Sequence, residues 1–182
     1  MCRVHVDPGT RADPEKKALF GAATKVIHFT KHIGTEVVGV QLKDLTNQQK
    51  DELALLIAER SVVFFRDQDL NPRQQLELGE YYGEIEIHPQ APRVPGLDGI
   101  TVIWPDYQDA KRGRETNFRN PGGSSGWHTD LVHEKYPAGI THLHNVHSKV
   151  RTILTTGHRA GGWWGYIMGK WICCIRKAVS RL

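Results

Sequence analysis

The stretch that decides the fold is SVVFFRDQDLNPRQQLELGEYYG, residues 61–83. Its first part, SVVFF (61–65), is rich in the β-branched and aromatic residues that favour a short buried strand. A polar connection follows, and the rest of the stretch predicts a helix that begins after Asn71 and ends at Gly83. Asn71 is a favourable N-cap, Pro72 suits the first helical position, and glycine suits the C-terminal end.

The residues before this stretch predict one more helix and one more strand. LTNQQKDELALLIAER (45–60) has the apolar spacing of a helix. Thr46 can cap this helix, and Gln49 completes a capping-box pattern. EVVGVQL (36–42) is predicted to be a strand. Residues 1–24 are polar, with proline and glycine, and we expect a loose N-terminal arm.

The residues after the stretch predict two strands separated by a long loop. GITVIW (99–104) favours a strand. Residues 105–126 are polar and glycine-rich, which is typical of a loop that covers a site. AGITHLHN (138–145) alternates and predicts a strand with His142 and His144 on one face.

Charge is distributed unevenly along the chain. The chain has 182 residues, with 24 lysines and arginines, 20 acidic residues and a net charge of +4. No acidic residue follows Glu134, so a mildly acidic body precedes a basic tail. Such a tail could bind nucleic acid or anionic lipid. Alternatively, the tail has no function and its sequence was not shaped by natural selection.

The three cysteines, Cys2, Cys173 and Cys174, form no CxxC pattern. No disulfide framework is implied, which favours a reducing compartment. The N-terminus lacks the apolar segment of a signal peptide. We therefore expect a cytoplasmic protein.

The candidate metal site is the His-x-Asp pair of His128 and Asp130. On an extended segment, both side chains lie on the same face and can bind one metal ion. Two histidines and one carboxylate form the facial triad of non-heme Fe(II) oxygenases. The pair alone is a weak signal, because many such pairs are hydrogen-bonded on the surface. A zinc site that adds His133, His142 or His144 is an alternative.

Three separated blocks carry a family resemblance. GWHTD, PAGITHL and VVFFRDQDLNPRQQLELGEYYGEIEIHP (62–89) occur in the order found in the TauD/TfdA family of Fe(II)- and 2-oxoglutarate-dependent dioxygenases, which the chain resembles over residues 25–145. The resemblance implies an α+β, mostly β fold: a partial double-stranded β-helix, or jelly roll, with flanking helices. The C-terminal half of the barrel would be missing, and residues 146–182 would lie outside the fold.

The resemblance also implies the site. His128 and Asp130 would be the first two iron ligands, Trp127 would shape the site wall, and 2-oxoglutarate would be the co-substrate. The later histidines are not ligands in this family. We expect a small-molecule substrate and dioxygen as partners, with neither nucleic acid nor membrane. A homo-oligomer of this chain is one possible assembly.

His88 matches a histidine that the taurine-using members place against the sulfonate. Those members also use a tyrosine and an asparagine where this chain has Ala91 and Ser124. The resemblance therefore implies a small anion such as an alkylsulfonate, with taurine itself in doubt. The alternative for His88 is a surface histidine before a proline.

The residues after Asn145 depart from the family. Its third iron ligand, its Gly-Gly-Asp-Thr-Leu-Trp block and its 2-oxoglutarate arginine are absent there. The codons of residues 157–180, read one nucleotide later, permit that block, with Gly-Gly and Trp forced. We hypothesise that Val146–Thr156 plus one nucleotide is retained intron sequence, which would make this chain a truncated, inactive form. The alternative is a non-catalytic binding protein that presents the basic tail to a partner.

Overall fold

The computed structural model describes residues 6–87, 93–102, 108–109, 114–115, 139–144 and 152–156. The chain divides into two compact units. The first contains residues 1–85 and 138–157, and the second contains residues 86–137 and 158–182.

The described secondary structure mixes three α-helices with nine strands. The helices are α1 (Lys17–Ala22), α2 (Asn47–Arg60) and α3 (Pro72–Tyr82), with 3-10 turns at Pro8–Arg11 and Leu42–Asp44. The strands are β1 (Lys25–His28), β2 (Thr35–Val38), β3 (Val62–Phe65), β4 (Arg93–Val94), β5 (Leu97–Thr101), β6 (Gln108–Asp109), β7 (Arg114–Glu115), β8 (Ile140–Leu143) and β9 (Thr152–Thr156). No helix in the described part of the chain is long and apolar enough to cross a membrane.

Both predicted helices are confirmed, together with their caps. The Thr46 hydroxyl accepts a hydrogen bond from the Gln49 amide, and the Gln49 side chain accepts one from the Thr46 amide. Asn71 and Gln74 make the same reciprocal pair at the start of α3. These caps satisfy amides that the first helical turn leaves without intrahelical partners.

The first unit contains a five-stranded sheet in the order β1-β2-β3-β9-β8. β2 and β3 are parallel, as expected for strands joined by a helix, and the other neighbouring pairs are antiparallel. All four residues of β3 are buried, which confirms the predicted buried strand. Val37, Val63 and Phe65 pack into the core with residues of α2, and we call this side of the sheet its helix side. Glu36 and Phe64 alternate with these residues and lie on the opposite side.

The N-terminal segment differs from the predicted loose arm. Leu19 in α1 has 0% of its surface exposed, and its backbone amide donates to the buried carboxylate of Glu52 in α2 over 2.6 Å. Arg11 makes two hydrogen bonds to Asp51. The arm is packed because a buried leucine and contacts with acidic side chains of α2 attach it to that helix. The polar composition of residues 1–24 does not indicate these contacts.

The predicted boundary at residue 146 also differs from the structure. Thr152–Thr156 pairs with β3 on one side and with β8 on the other. Its threonine and isoleucine residues favour strands, and β3 offers an unpaired edge in their absence. The other residues of the predicted tail lie outside the described part.

In the second unit, β4 and β5 form an antiparallel hairpin, and β6 and β7 form a second one. The strand predicted over 99–104 is found at Leu97–Thr101. The predicted loop over 105–126 contains the short β6 and β7. The rest of this loop lies outside the described residues.

Candidate metal centre

The predicted site residues lie outside the described part of the chain. They are His88, Trp127, His128 and Asp130, together with His133 from the zinc alternative. Their roles therefore stay predictions. The described element that follows the His-x-Asp pair most closely in sequence is β8.

β8 presents His142 to the helix side of the sheet. His142 stands opposite Leu154 of β9, which stands opposite Val63 of β3. Residues in one such row share a side of the sheet, and Ile140, two residues before His142, packs against the core. The side-chain Nε2 of Gln75 in α3 donates to the His142 carbonyl over 3.4 Å. β8 is thus fixed to both the sheet and α3.

The His142 imidazole has both of its ring nitrogens buried. Burial and, as the smaller cause, the neighbouring His144 together lower the pKa of His142 to about 4. Neither ring nitrogen has a hydrogen-bond partner within the described structure. Burial also lowers the pKa of His144. Both histidines therefore favour the neutral form at neutral pH.

No metal-binding group of three histidine, cysteine or acidic side chains occurs within the described ranges. His142 and His144 thus form no zinc site with any other described residue. That these two histidines are not iron ligands stays a prediction.

Two glutamines hold the connection after β3 against the connection after β2. Gln68 donates to the Val40 carbonyl and accepts from the Leu42 amide, each over 2.8 Å. Gln41 donates to the Asp67 carbonyl over 2.8 Å and accepts from the Asp69 amide over 3.0 Å. The polar block RDQDL is therefore a rigid connection, because its backbone groups are paired with side chains of the neighbouring loop.

The opposite side of the sheet carries an ion pair with a buried carboxylate, which sequence reasoning missed. Glu36 of β2 is 3% exposed and accepts a hydrogen bond from Arg66 Nε. Burial of a carboxylate is costly unless it is paired. The available signal was a single charged residue inside the predicted strand EVVGVQL. Its partner is distant in sequence and could not be identified from it.

Arg60, at the end of α2, holds the loop between β1 and β2. Its guanidinium donates to the carbonyls of Thr30, Lys31 and Gly34, and its Nε donates to the buried Thr35 hydroxyl. Because that hydroxyl accepts from Arg60, its own proton is available for His28 Nδ1, which lies 2.8 Å away. One arginine thus fixes the start of β2.

The chain matches the family model described as "Taurine catabolism dioxygenase TauD, TfdA family" over residues 25–155. This match covers most of the chain and includes His88, Trp127, His128 and Asp130. The chain therefore belongs to the TauD/TfdA family, as the three sequence blocks predicted.

Curated relatives are named alpha-ketoglutarate-dependent dioxygenases. One from Penicillium expansum is 40% identical over 144 residues, which are 76% of this chain and 38% of the relative. An alpha-ketoglutarate-dependent sulfonate dioxygenase of Saccharomyces cerevisiae is 37% identical over 74% of this chain and 34% of the relative. The chain thus spans little more than a third of these relatives.

Among solved structures, the chain is similar to a taurine dioxygenase from Burkholderia xenovorans. The TM-score is 0.47 at 24% identity, and the match covers 64% of this chain and 38% of that one.

Proposed function

We propose that this protein is built as an Fe(II)- and 2-oxoglutarate-dependent dioxygenase that hydroxylates a small anionic substrate such as an alkylsulfonate. Succinate and carbon dioxide would be the products of the co-substrate. The observation that carries the proposal is the family match across the block that contains the His-x-Asp pair. The sulfonate part is supported by the yeast relative, whose name includes a sulfonate dioxygenase activity.

His128 and Asp130 would hold the iron. Imidazole and carboxylate are ligands that suit Fe(II), and a third ligand would complete the facial triad. When bound, iron with 2-oxoglutarate and dioxygen supplies the oxidising power for hydroxylation. The residues of the protein would fix the ligand geometry and exclude water from the site.

Trp127 would form part of the site wall, and His88 would bind the substrate anion. A histidine can donate a hydrogen bond to a sulfonate oxygen, and the bond is stronger when the imidazole is protonated. Sulfonate hydroxylation at the carbon next to sulfur would release sulfite. In the protein encoded without the hypothesised intron sequence, we expect His88→Ala to raise the KM for an alkylsulfonate and to leave the 2-oxoglutarate requirement unchanged. An unchanged KM would argue that His88 is only a surface residue.

We further propose that residues 146–182 replace the family's continuation, so that this chain does not turn over by itself. The described part of the tail, Thr152–Thr156, supplies a strand but contains no histidine or arginine. Without the third ligand, iron binding should be weak. Removing Val146–Thr156 and one further nucleotide would give a reading frame that permits the family's Gly-Gly-Asp-Thr-Leu-Trp block. We call the protein encoded in that frame the frame-restored protein.

Transcript sequencing across codons 140–182 tests this second proposal. We expect reads that skip Val146–Thr156 and the extra nucleotide. Reads that all run through this segment would contradict the retained-intron hypothesis and favour a folded, native β9. The cytoplasmic location also stays a proposal, which fractionation with a tagged chain would test.

A further inference from the structure

The side of the sheet opposite the helices carries an arginine whose orientation is fixed by an ion pair. Arg66 follows β3 directly, and its Nε donates to the buried Glu36 carboxylate. The side chain of Arg66 is 39% exposed, whereas that of Glu36 is 4% exposed. Among the described residues, the two terminal nitrogens of Arg66 have no hydrogen-bond partner. A guanidinium held at Nε can still present two parallel N–H groups to a carboxylate or sulfonate.

A second cation lies in the same row of the sheet. Lys25 of β1 stands opposite Val38 of β2. Val37 stands opposite Phe65 in the parallel β2–β3 pair, so the next residue, Arg66, falls in register with Val38. Residues in one row point to the same side, and the strands at either end of three are about 10 Å apart. Lys25 and Arg66 therefore flank Val38 on one side of the sheet.

The charges of this cluster leave it attractive to anions. Lys25 and Arg66 contribute two positive charges, and Glu36 contributes one negative charge that is buried behind Arg66. The paired carboxylate neutralises part of the arginine charge, but its main effect is to restrict the side chain. A preoriented arginine loses less conformational entropy when it binds a planar anion than a free one does.

We propose that Arg66 and Lys25 form an anion-binding site for the carboxylate or sulfonate group of a small organic acid. Arg66 would bind two oxygens of the anion through its terminal nitrogens, and Lys25 would contribute a single charged contact. The proposal needs neither iron nor turnover, so its failure would leave the proposed dioxygenase function standing.

Titration calorimetry of the full 182-residue chain with three probes tests the site. The probes are 2-oxoglutarate, butane-1-sulfonate and inorganic sulfate. We expect one or both organic anions to bind, and the stronger of the two identifies the group that the site prefers. Binding of sulfate alone, or no binding at about 10 mM of any probe, would overturn the proposal.

Substitutions identify the residues that bind the anion. Arg66→Lys keeps the charge but loses the planar fork, so binding should weaken at least about tenfold. Lys25→Gln should weaken it about threefold. Lys31→Gln is the matched control, because it removes one exposed lysine from the loop next to β1, and its affinity should equal that of the unchanged chain.

One further variant separates binding from folding. Removing Arg66 alone leaves a buried carboxylate without a partner, which is destabilising. The double variant Glu36→Gln/Arg66→Gln removes both charges together, and its circular dichroism spectrum should match that of the unchanged chain. We expect it to bind no organic anion. Undiminished binding by this folded double variant would place the anion elsewhere and refute the site.

Discussion

Replacing Glu52 by glutamine should weaken the attachment of the N-terminal segment to α2. The Glu52 carboxylate is fully buried and accepts from the Leu19 amide over 2.6 Å and from the Gln48 side chain over 3.1 Å. Glutamine keeps one oxygen but turns its own donor toward another donor. Hydrogen bonds to a charged group contribute about 1.5–3 kcal/mol each, so we expect a loss of about 2 kcal/mol. Glu52→Ala removes both acceptors and should cost about 3 kcal/mol.

Amide hydrogen exchange measured by NMR is the assay. A loss of about 2 kcal/mol accelerates exchange of the Leu19 amide roughly 30-fold if that amide exchanges by local opening. Glu77→Gln is the matched control, because Glu77 is exposed on α3 and its substitution removes the same charge. Two results would contradict this reasoning. One is a Leu19 amide that is unprotected in the unchanged chain. The other is the same Leu19 exchange rate in the Glu52→Gln and Glu77→Gln variants.

Three other substitutions have defined outcomes. Because the folded pKa of His142 is lowered to about 4, its contribution to stability is complete above the unfolded pKa and is lost as the pH falls from about 6.5 toward 4. The ceiling is about 3 kcal/mol, and His142→Leu should remove this loss in urea titrations at pH 7 and 4.5. Arg60→Ala leaves three loop carbonyls without their donor; we expect about 2 kcal/mol lower stability and faster exchange at the start of β2. Gly39 has φ of +85°, and a Cβ there would lie 2.7 Å from Thr24 Oγ1. Gly39→Ala should therefore cost about 1–3 kcal/mol in thermal unfolding.

The elements that the sequence predicted well are those whose signals are local. The capping boxes at Thr46 and Asn71 involve residues three positions apart, so both helix starts were identified correctly. The buried run of β3 was recognisable from its composition. Each of these features depends on neighbours in sequence.

The contacts that were missed join residues distant in sequence. Glu52 and Leu19 are 33 residues apart, and Glu36 and Arg66 are 30 apart. Periodicity can mark such a residue as buried, but it does not name the partner. The place of β9 between β3 and β8 was missed for a related reason, because pairing order depends on which sheet edges are free.

The candidate site was predicted from residue types and their order. His128 and Asp130 are residue types that can bind a metal ion, and the family match includes both positions. The spacing of a His-x-Asp pair alone does not separate a metal site from a surface hydrogen bond. The family resemblance of the surrounding blocks favours the metal site.

Succinate formation from 2-oxoglutarate measures most directly whether His128 and Asp130 hold catalytic iron. With Fe(II) and dioxygen, the frame-restored protein should form succinate, and the 182-residue chain should form none. His128→Ala and Asp130→Ala in the frame-restored protein should abolish the product, whereas His133→Ala should retain it. Succinate formed at an undiminished rate by both ligand variants, or no iron-dependent succinate from the frame-restored protein, would contradict the proposed function.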